Sequence, residues 1–483
     1  MSMETGRLVL VSNAEPYVHS KEGSEIVCER QAGGLTSALD PLLQNTGGIW
    51  IAWGRGGETD FAVLDKEGKV RVPDKGGFQL KRLKLTKKEV DNFYLGFSNR
   101  ILWPLSHSMP EKSVMDDYDT AREYWNSYEE VNRKYTDAIL EEITEGDNIW
   151  IHDYQLALVP KMVRENRPEA NIGFFWHIPW PPWEIFGTLP WSEEILRGIL
   201  GSDFIGFHTS RFEKNFLGCA EAMDMCIDEK CSAISADGTK SRVSHIPLGI
   251  EYHLYDSLSG NEEVKEKTRY LKKEINADKI IVSVDRLDYT KGIPERLRAF
   301  ELFLKKNPEY LGKVTLVQRI PPSRRSVKEY QSILDEIHMI VGEINGNLGK
   351  ADWTPVKSFH RFLPNLEELI PYYLAADVAL VTPLMDGMNL VCKEYISAVE
   401  DGVLILSKFA GAAEELKEAI KVNPYDAEEV AQGIEEALCL PKRERSERLN
   451  SLKERVKAND LEWWRKEFLR NWLEQDTSIE GSG

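Results

Sequence analysis

The chain has 483 residues, a formal net charge of −18, 42% hydrophobic residues and 29% charged residues. This length exceeds what one hydrophobic core normally serves, so the composition predicts two globular domains. The acidic balance argues against a nucleic-acid partner or an anionic membrane, and no apolar run is long enough to span a bilayer. A strand-like run follows the first residues at once, so we expect no signal peptide.

The cysteine pattern predicts free thiols. No CxxC pair occurs among the six cysteines, which are Cys28, Cys219, Cys226, Cys231, Cys392 and Cys439. Buried thiols in a reducing compartment fit this pattern better than disulfides or a zinc site. No Asp-x-Asp pair lies in a loop suited to a divalent cation. We therefore expect a cytoplasmic protein with no metal and no cofactor.

Short apolar runs predict the strands of the first half of the chain. They lie at 7–12, 49–53, 61–64, 69–72, 148–151, 172–175, 205–207 and 243–246. The polar segment 13–30 is predicted to be a loop, and 115–143 to be mostly helical. Histidines follow three of these strands within two residues: His152, His177 and His208. A lone histidine is most often structural, but three at the edge where doubly wound sheets bind ligands favour a site.

A second series of strands and amphipathic helices begins after residue 250. The strands are predicted at 279–284, 314–319, 356–359 and 378–381. The last leads into a turn that holds Asp386 and Asn389, and then into a helix from Leu390. Free N–H groups at such a helix start favour an anion, and Glu394, one turn further on, could hold a ribose diol. A helix merely capped by Asn389 is the alternative for this stretch alone.

Cations follow two strands of this second series. Arg286 and Lys291 lie in the turn after 279–284, and Arg324 and Arg325 follow 314–319. In a chain with a net charge of −18, cations at two successive strand ends favour a binding site over ordinary solvent-exposed charges. With the helix start near Asn389 they predict a cradle for a diphosphate. The Gly33-Gly34 turn before another helix is not a GxGxxG motif, and is weak evidence for nucleotide binding.

The segments that carry these features resemble one enzyme family. In order and spacing they are similar to trehalose-6-phosphate synthase and its relatives over nearly the whole chain, as seen in VSN, AGGL, FSNRILWP, WIHDYQL, FWHIPWPP, GFHT, RLDYTKGIPER, GKADWTPV and TPLMDGMNLVCKEY. The resemblance implies an α/β fold of two Rossmann-like doubly wound domains facing a cleft (GT-B). It implies an acceptor-binding domain at 1–250, joined by a returning C-terminal helix at 460–477, and a nucleotide-sugar-binding domain at 251–459.

The resemblance also implies an activity and a site. The activity is a retaining transfer of glucose from a nucleotide-sugar donor, UDP-glucose being expected, to glucose 6-phosphate, which gives α,α-trehalose 6-phosphate. The implied catalytic residues are Arg286, Lys291, Asp386, His177 and Asp153. The implied donor-binding residues are Gly34, Gly387, Met388, Asn389, Leu369, Val391 and Glu394. The implied acceptor-binding residues are Tyr94, Trp103 and Arg324.

Two positions depart from the family pattern. Ala14, before Glu15-Pro16-Tyr17, stands where the family normally has an arginine for the acceptor phosphate, and Met385 also replaces an arginine. Glucosylglycerol-phosphate synthases, which use glycerol 3-phosphate, also have Glu-Pro-Tyr near this point. A transferase with another phosphorylated sugar or polyol acceptor therefore remains an alternative. A silent sugar-phosphate-binding subunit is disfavoured, because the implied diphosphate-binding residues are present. The sequence is compatible with a homo-oligomer and leaves the oligomeric state open.

Overall fold

The computed structural model describes residues 6–23, 25–31, 34–73, 77–113, 115, 117–228, 232–234, 240–321 and 328–474. The chain divides into two compact units, 1–246 with 465–483, and 247–464. Each unit contains a largely or wholly parallel sheet with helices between successive strands. The predicted fold class, two Rossmann-like units, is confirmed.

The described part of the first unit contains a ten-stranded sheet in the order β10-β11-β12-β9-β8-β7-β1-β4-β6-β5, and a separate hairpin of β2 and β3. The central strands from β12 to β6 run parallel, and most of their residues are buried, as expected for a sheet covered on both faces. The strands are Leu8–Ala14 (β1), Tyr17–Glu22 (β2), Glu25–Arg30 (β3), Ile49–Trp53 (β4), Lys69–Val72 (β5), Phe78–Leu83 (β6), Asn148–His152 (β7), Asn171–Phe175 (β8), Phe204–Phe207 (β9), Cys226–Ile227 (β10), Ser232–Ile234 (β11) and Lys240–His245 (β12).

The helices of this unit alternate with its strands. They are Gly34–Thr46 (α1), Glu58–Ala62 (α2), Lys87–Glu89 (α3), Trp103–Ser106 (α4), Tyr118–Glu142 (α5), Val159–Asn166 (α6), Trp183–Phe186 (α7), Ser192–Ile199 (α8) and Ser210–Ala222 (α9). A π-helix spans Val90–Leu102, and short 3-10 turns lie at Pro110–Lys112 and Tyr154–Leu156. Because π-helices are rare and concentrate at functional sites, the π-helix is of interest for the site described below.

Two predictions for this unit are wrong. The predicted strand at 61–64 begins inside helix α2, whose Asp60 is buried and accepts hydrogen bonds from the N–H groups of His19 and Gly56. The predicted loop at 13–30 contains the β2–β3 hairpin. An apolar-run criterion misses this hairpin because a polar residue, His19, takes one of its buried positions.

The described part of the second unit contains a six-stranded, wholly parallel sheet in the order β15-β14-β13-β16-β17-β18. Its strands are Lys279–Val284 (β13), Val314–Arg319 (β14), Val356–Phe359 (β15), Val378–Val381 (β16), Val403–Ser407 (β17) and Ile420–Val422 (β18). Its helices are Tyr252–Ser259 (α10), Glu262–Ile275 (α11), Ile293–Lys306 (α12), Lys328–Leu348 (α13), Leu366–Ala375 (α14), Leu390–Ala398 (α15), Ala427–Cys439 (α16) and Lys442–Ala458 (α17), with 3-10 turns at Tyr289–Lys291, Pro308–Tyr310 and Gly411–Glu414.

The terminal helix Leu461–Leu473 (α18) ends within the first unit. The ring of Phe468 stacks on that of Trp150 in β7, with centroids 4.3 Å apart and planes 8° apart. Trp472 lies against Gly173 in β8, where an added Cβ would come within 2.9 Å of the indole. The aromatic stripe of this helix therefore packs on the first sheet, as the fold prediction requires.

Candidate active site

In the second unit, two strand ends bring together a cation and a carboxylate. Lys291 lies in the loop after β13, and Asp386 lies in the turn after β16. Their Nζ and Oδ2 atoms are 2.6 Å apart, and both side chains are largely buried. Asn389 donates to the same Oδ2 atom at 3.1 Å and caps α15 by accepting from the N–H of Cys392. The pair therefore lies at the N-terminus of α15, where unpaired N–H groups favour an anion.

The loop that carries Lys291 is fixed by a residue that the sequence reasoning missed. Arg296, in α12, is 1% exposed. Its guanidinium bonds to Asp285 Oδ2 at 2.6 Å and to the Lys291 carbonyl oxygen at 3.0 Å, and also reaches Gln318 and Thr382. Burial raises the pKa of Asp285, while the charges of Arg296 and Lys291 oppose that rise. Arginines inside amphipathic helices are usually solvated, so the helical pattern does not predict this role, although Arg296 lies in a segment that carries the family resemblance.

The turn at Asp386–Asn389 has its own support. The N–H of Asp386 donates to the carbonyl oxygen of Phe409, and the N–H of Ala412 donates to that of Met388. Gly411 lies so close that an added Cβ would come within 2.0 Å of the Gly387 carbonyl oxygen. The side chain of Met388 is buried in the core of the unit. The turn is therefore held by backbone contacts in addition to the side-chain contacts of Asp386, Met388 and Asn389.

Glu394 lies further along α15 and is bound by tyrosines. Tyr373 donates from its hydroxyl to Glu394 Oε2 at 2.7 Å. Burial raises the pKa of Glu394, and hydrogen bonds from Tyr373 and Tyr255 oppose the rise. Leu369 in α14 and Val391 in α15 are partly buried against the core of the same unit.

The remaining predicted residues of this unit are placed as follows. Arg286 is exposed, in the same loop as Lys291, and Met385 is half-buried beside Asp386. The predicted acceptor residue Arg324, with Arg325, lies outside the described residues. The structure therefore brings Lys291, Asp386 and Asn389 into direct contact, and Arg286 lies in the loop that carries Lys291.

In the first unit, the three predicted histidines cluster. His152 Nδ1 and His177 Nε2 are 3.1 Å apart, and the rings of His177 and His208 have centroids 5.3 Å apart. Burial and the neighbouring imidazoles hold the pKa of His152 and of His177 well below its usual value. Both rings are therefore neutral at physiological pH, so they can exchange hydrogen bonds with hydroxyl groups without carrying charge.

Asp153 links this cluster to the predicted acceptor residues. Its backbone has a φ of 77°, which is unusual for a residue other than glycine, and its Oδ1 accepts from the N–H groups of Tyr154 and His177. Tyr154 in turn donates to Asn99 in the π-helix, at 2.9 Å, and Asn99 donates to the Tyr94 carbonyl oxygen at 2.7 Å. A strained aspartate at the centre of such a network is a common feature of functional sites.

Trp103 and Gly34 complete the predicted set in this unit. Trp103 is buried, with its ring 4.3 Å from that of His107 and 5.9 Å from that of Tyr154, measured between centroids. Gly34 is the first residue of α1. Tyr154 and Asn99 were not predicted as site residues, although both lie in segments that carry the family resemblance.

Glu15, beside the departure at Ala14, is part of a buried charge network. Its Oε2 accepts from Arg82 Nε at 2.7 Å, and both side chains have no exposed surface. Arg82 also bonds to Asp60 Oδ1 at 3.1 Å and to His19 Nδ1 at 2.8 Å. Burial raises the pKa of Glu15 to about 7, against the lowering effect of Arg55 and Arg82. The Glu-Pro-Tyr motif thus joins β1, the β2–β3 hairpin, α2 and β6 in the core.

Neither a metal site nor a membrane span is found in the part of the chain that the structure describes. Its residues include no cluster of three or more histidine, cysteine, aspartate or glutamate side chains that could hold a metal ion. None of its helices is long and apolar enough to cross a membrane.

Polar clusters at the strand ends of Rossmann-like units are the arrangement with which such folds bind ligands. The model of glycosyltransferase family 20 matches residues 6–474, and the chain belongs to this family. The trehalose-6-phosphate synthase of Mycobacterium marinum is 38% identical over 473 residues, which cover 95% of this chain and 92% of that protein.

Solved structures agree with this assignment. A structure described as "trehalose-6-phosphate from E. coli bound with UDP-2-fluoro glucose" is 34% identical in sequence and has a TM-score of 0.88. The match covers 97% of this chain and 99% of that one. An α,α-trehalose-phosphate synthase (UDP-forming) from Burkholderia xenovorans, in complex with glucose-6-phosphate, is 33% identical, with a TM-score of 0.85 over 97% of this chain and 100% of that one.

Proposed function

We propose that the protein transfers glucose, with retention of configuration, from UDP-glucose to glucose 6-phosphate and releases α,α-trehalose 6-phosphate and UDP. The observation that carries the proposal is the buried Lys291–Asp386 pair at the start of α15, which supplies a cation, a carboxylate and helix N–H groups at one strand edge. The cation and the helix N–H groups favour a diphosphate, and the carboxylate can accept from sugar hydroxyls. The similarity to enzymes whose structures contain a UDP-glucose analogue or glucose 6-phosphate supports the choice of donor and acceptor.

On the donor side, Lys291 and Arg286 bind the diphosphate. Lys291 keeps two N–H donors for phosphate oxygens while the third bonds to Asp386, because an ammonium group has three donors. Asp386 accepts from a glucose hydroxyl, and the N–H groups of Gly387, Met388 and Asn389 line the sugar. Glu394 accepts from the ribose hydroxyls, and Leu369 and Val391 flank the base. Gly34, in the first unit, is assigned to the donor from the sequence alone.

On the acceptor side, Tyr94 and Trp103 of the first unit bind glucose 6-phosphate, and His177 and Asp153 orient the reacting sugars. Arg324 is assigned to the same substrate from the sequence alone. The acceptor hydroxyl attacks the anomeric carbon from the face that the diphosphate leaves. The bond from that carbon to the phosphate oxygen breaks, and the acceptor proton passes to a phosphate oxygen of departing UDP. No protein nucleophile takes part, so the protein contributes positioning and preorganised positive charge.

We infer that this reaction takes place in the cytoplasm. Cys28, Cys219, Cys226, Cys392 and Cys439 are free thiols, which is typical of a reducing compartment. The test of the function is UDP release from UDP-glucose with glucose 6-phosphate and glycerol 3-phosphate offered in parallel, and with products identified by mass. Turnover with glucose 6-phosphate is expected, whereas turnover with glycerol 3-phosphate alone would assign the protein to another acceptor.

A further inference from the structure

Arg55 is an exposed cation in a position suited to an anionic ligand. It follows β4 by two residues and is solvent-exposed. Its guanidinium carbon lies 5.2 Å from the ring centroid of Trp53 and 5.3 Å from that of Tyr94. The planes of the two rings are 61° apart, so the guanidinium stacks face to face on one of them at most. Two ring contacts do not occupy all the N–H donors of a guanidinium, and the others are available to an oxyanion. Tyr94 is also one of the proposed acceptor-binding residues.

The position of the missing family arginine lies beside this cation. β1 and β4 are parallel neighbours, and the sheet register pairs Ala14 with Trp53, after an irregularity between Ser12 and Ala14. Arg55 is two residues beyond Trp53. Arg55 therefore follows the strand end that is the direct neighbour of Ala14.

Glu15 fixes the backbone of Arg55. Its Oε1 accepts from the Arg55 N–H at 2.5 Å, while its Oε2 is bound by Arg82. The carboxylate is buried and has two partners, so it orients the loop rather than facing solvent beside a bound anion. Only the backbone of Arg55 takes part in this contact, so truncating the Arg55 side chain leaves the contact intact.

We propose that Arg55 binds the phosphate group of the acceptor, in place of the arginine absent at Ala14, and that Glu15 is a positioning residue for it. This inference rests on the proposed function, because it assigns Tyr94 to the acceptor site. It extends that function by naming the group that recognises the phosphate.

The test compares Arg55→Ala with the wild type. Loss of one charge-assisted hydrogen bond weakens phosphate binding roughly ten- to hundredfold. We therefore expect the KM for glucose 6-phosphate to rise by that factor, while the KM for UDP-glucose stays within about twofold of the wild-type value. The matched control is Arg71→Ala, which removes another exposed arginine of the same sheet, on β5, and should leave both constants unchanged.

A relocated cation provides the second test. Ala14 pairs with Trp53 in the sheet, so an arginine at position 14 lies near the same place. Adding Ala14→Arg to the Arg55→Ala protein should therefore reverse at least half of the change in log KM for glucose 6-phosphate. An unchanged KM for glucose 6-phosphate in Arg55→Ala, with turnover retained, would overturn the inference and leave the proposed function standing.

Failure of the proposed function has a different signature. If the wild type turns over glycerol 3-phosphate only, the function is wrong, and the same variants measured with glycerol 3-phosphate decide the role of Arg55. If the wild type turns over neither acceptor, calorimetric titration with glucose 6-phosphate decides the role of Arg55. Weaker binding by Arg55→Ala then supports the inference, and equal binding or none in the wild type overturns it.

Discussion

At the scale of single residues, the Lys291–Asp386 pair makes the most direct prediction. Lys291→Ala should lower kcat by roughly a hundred- to a thousandfold, because preorganised charge on a departing group contributes about that factor. Steady-state kinetics with saturating UDP-glucose measures the effect. Near-normal turnover would contradict the role assigned to Lys291.

The chain offers a matched control for this variant. Lys279, the first residue of β13, bonds to Asp377 at 2.7 Å and is partly exposed. Lys279→Ala also truncates a lysine that is paired with an aspartate, but at the opposite end of β13 from Lys291. Its kcat should equal that of the wild type, and thermal unfolding of both variants checks that each is folded.

The buried histidines predict a dependence of stability on pH. In the unfolded chain their pKa is about 6.5, whereas in the folded protein burial holds the pKa of His152 well below that value. Below about pH 6.5 the unfolded chain thus binds protons that the folded chain does not, and stability falls as pH falls. Each such histidine contributes a slope of up to about 1.4 kcal/mol per pH unit.

The variant His152→Gln isolates this effect. It removes one titrating group while keeping a polar side chain next to His177. Between pH 7 and pH 5 its free energy of unfolding, from urea titration followed by tryptophan fluorescence, should fall less than that of the wild type, by up to about 2 kcal/mol. Equal losses in the two proteins would show that His152 is not buried in its neutral form.

At the scale of elements, α12 stabilises the loop that carries Lys291 through one buried arginine. Arg296→Met leaves the carboxylate of Asp285 buried without its main partner, which costs roughly 3–5 kcal/mol. Urea unfolding should show this loss. The double variant Asp285→Asn, Arg296→Met should regain part of it, because no uncompensated charge remains. A loss below about 1 kcal/mol in the single variant would mean that the loop is held by its other contacts.

The strands that carry the site could be predicted from the sequence because their signal is local. The predicted bounds of 49–53, 279–284, 314–319, 356–359 and 378–381 agree with those of β4, β13, β14, β15 and β16. Each is a short apolar run that is mostly buried and ends in a polar turn. Parallel strands then bring those turns to one sheet edge, so contacts such as Lys291–Asp386 follow from the strand assignments.

The features that could not be predicted depend on contacts between distant segments. The β2–β3 hairpin places His19 in a network with Arg82 and Asp60, 63 and 41 residues away along the chain. The burial of Arg296 depends on partners from three different strand ends. A pattern of apolar runs does not register polar core positions such as His19, Arg296 and Glu15.

At the scale of the whole molecule, the chain carries a net charge of −18, yet its proposed substrates are anionic. The cations assigned to them lie at strand ends: Lys291 and Arg286 after β13, and Arg55 after β4. Positive charge placed in this way acts over short range, because at physiological ionic strength screening limits exposed charges to about 8 Å. The KM for both substrates should therefore rise with added salt, while kcat changes little.

Parallel turnover assays show which phosphorylated acceptor the protein uses. Wild-type protein is given UDP-glucose with glucose 6-phosphate, with glycerol 3-phosphate or with neither, and UDP release and product mass are measured. We expect UDP release that depends on glucose 6-phosphate and a product with the mass of a disaccharide monophosphate. Release that depends on glycerol 3-phosphate alone, or no release with either acceptor, would contradict this expectation.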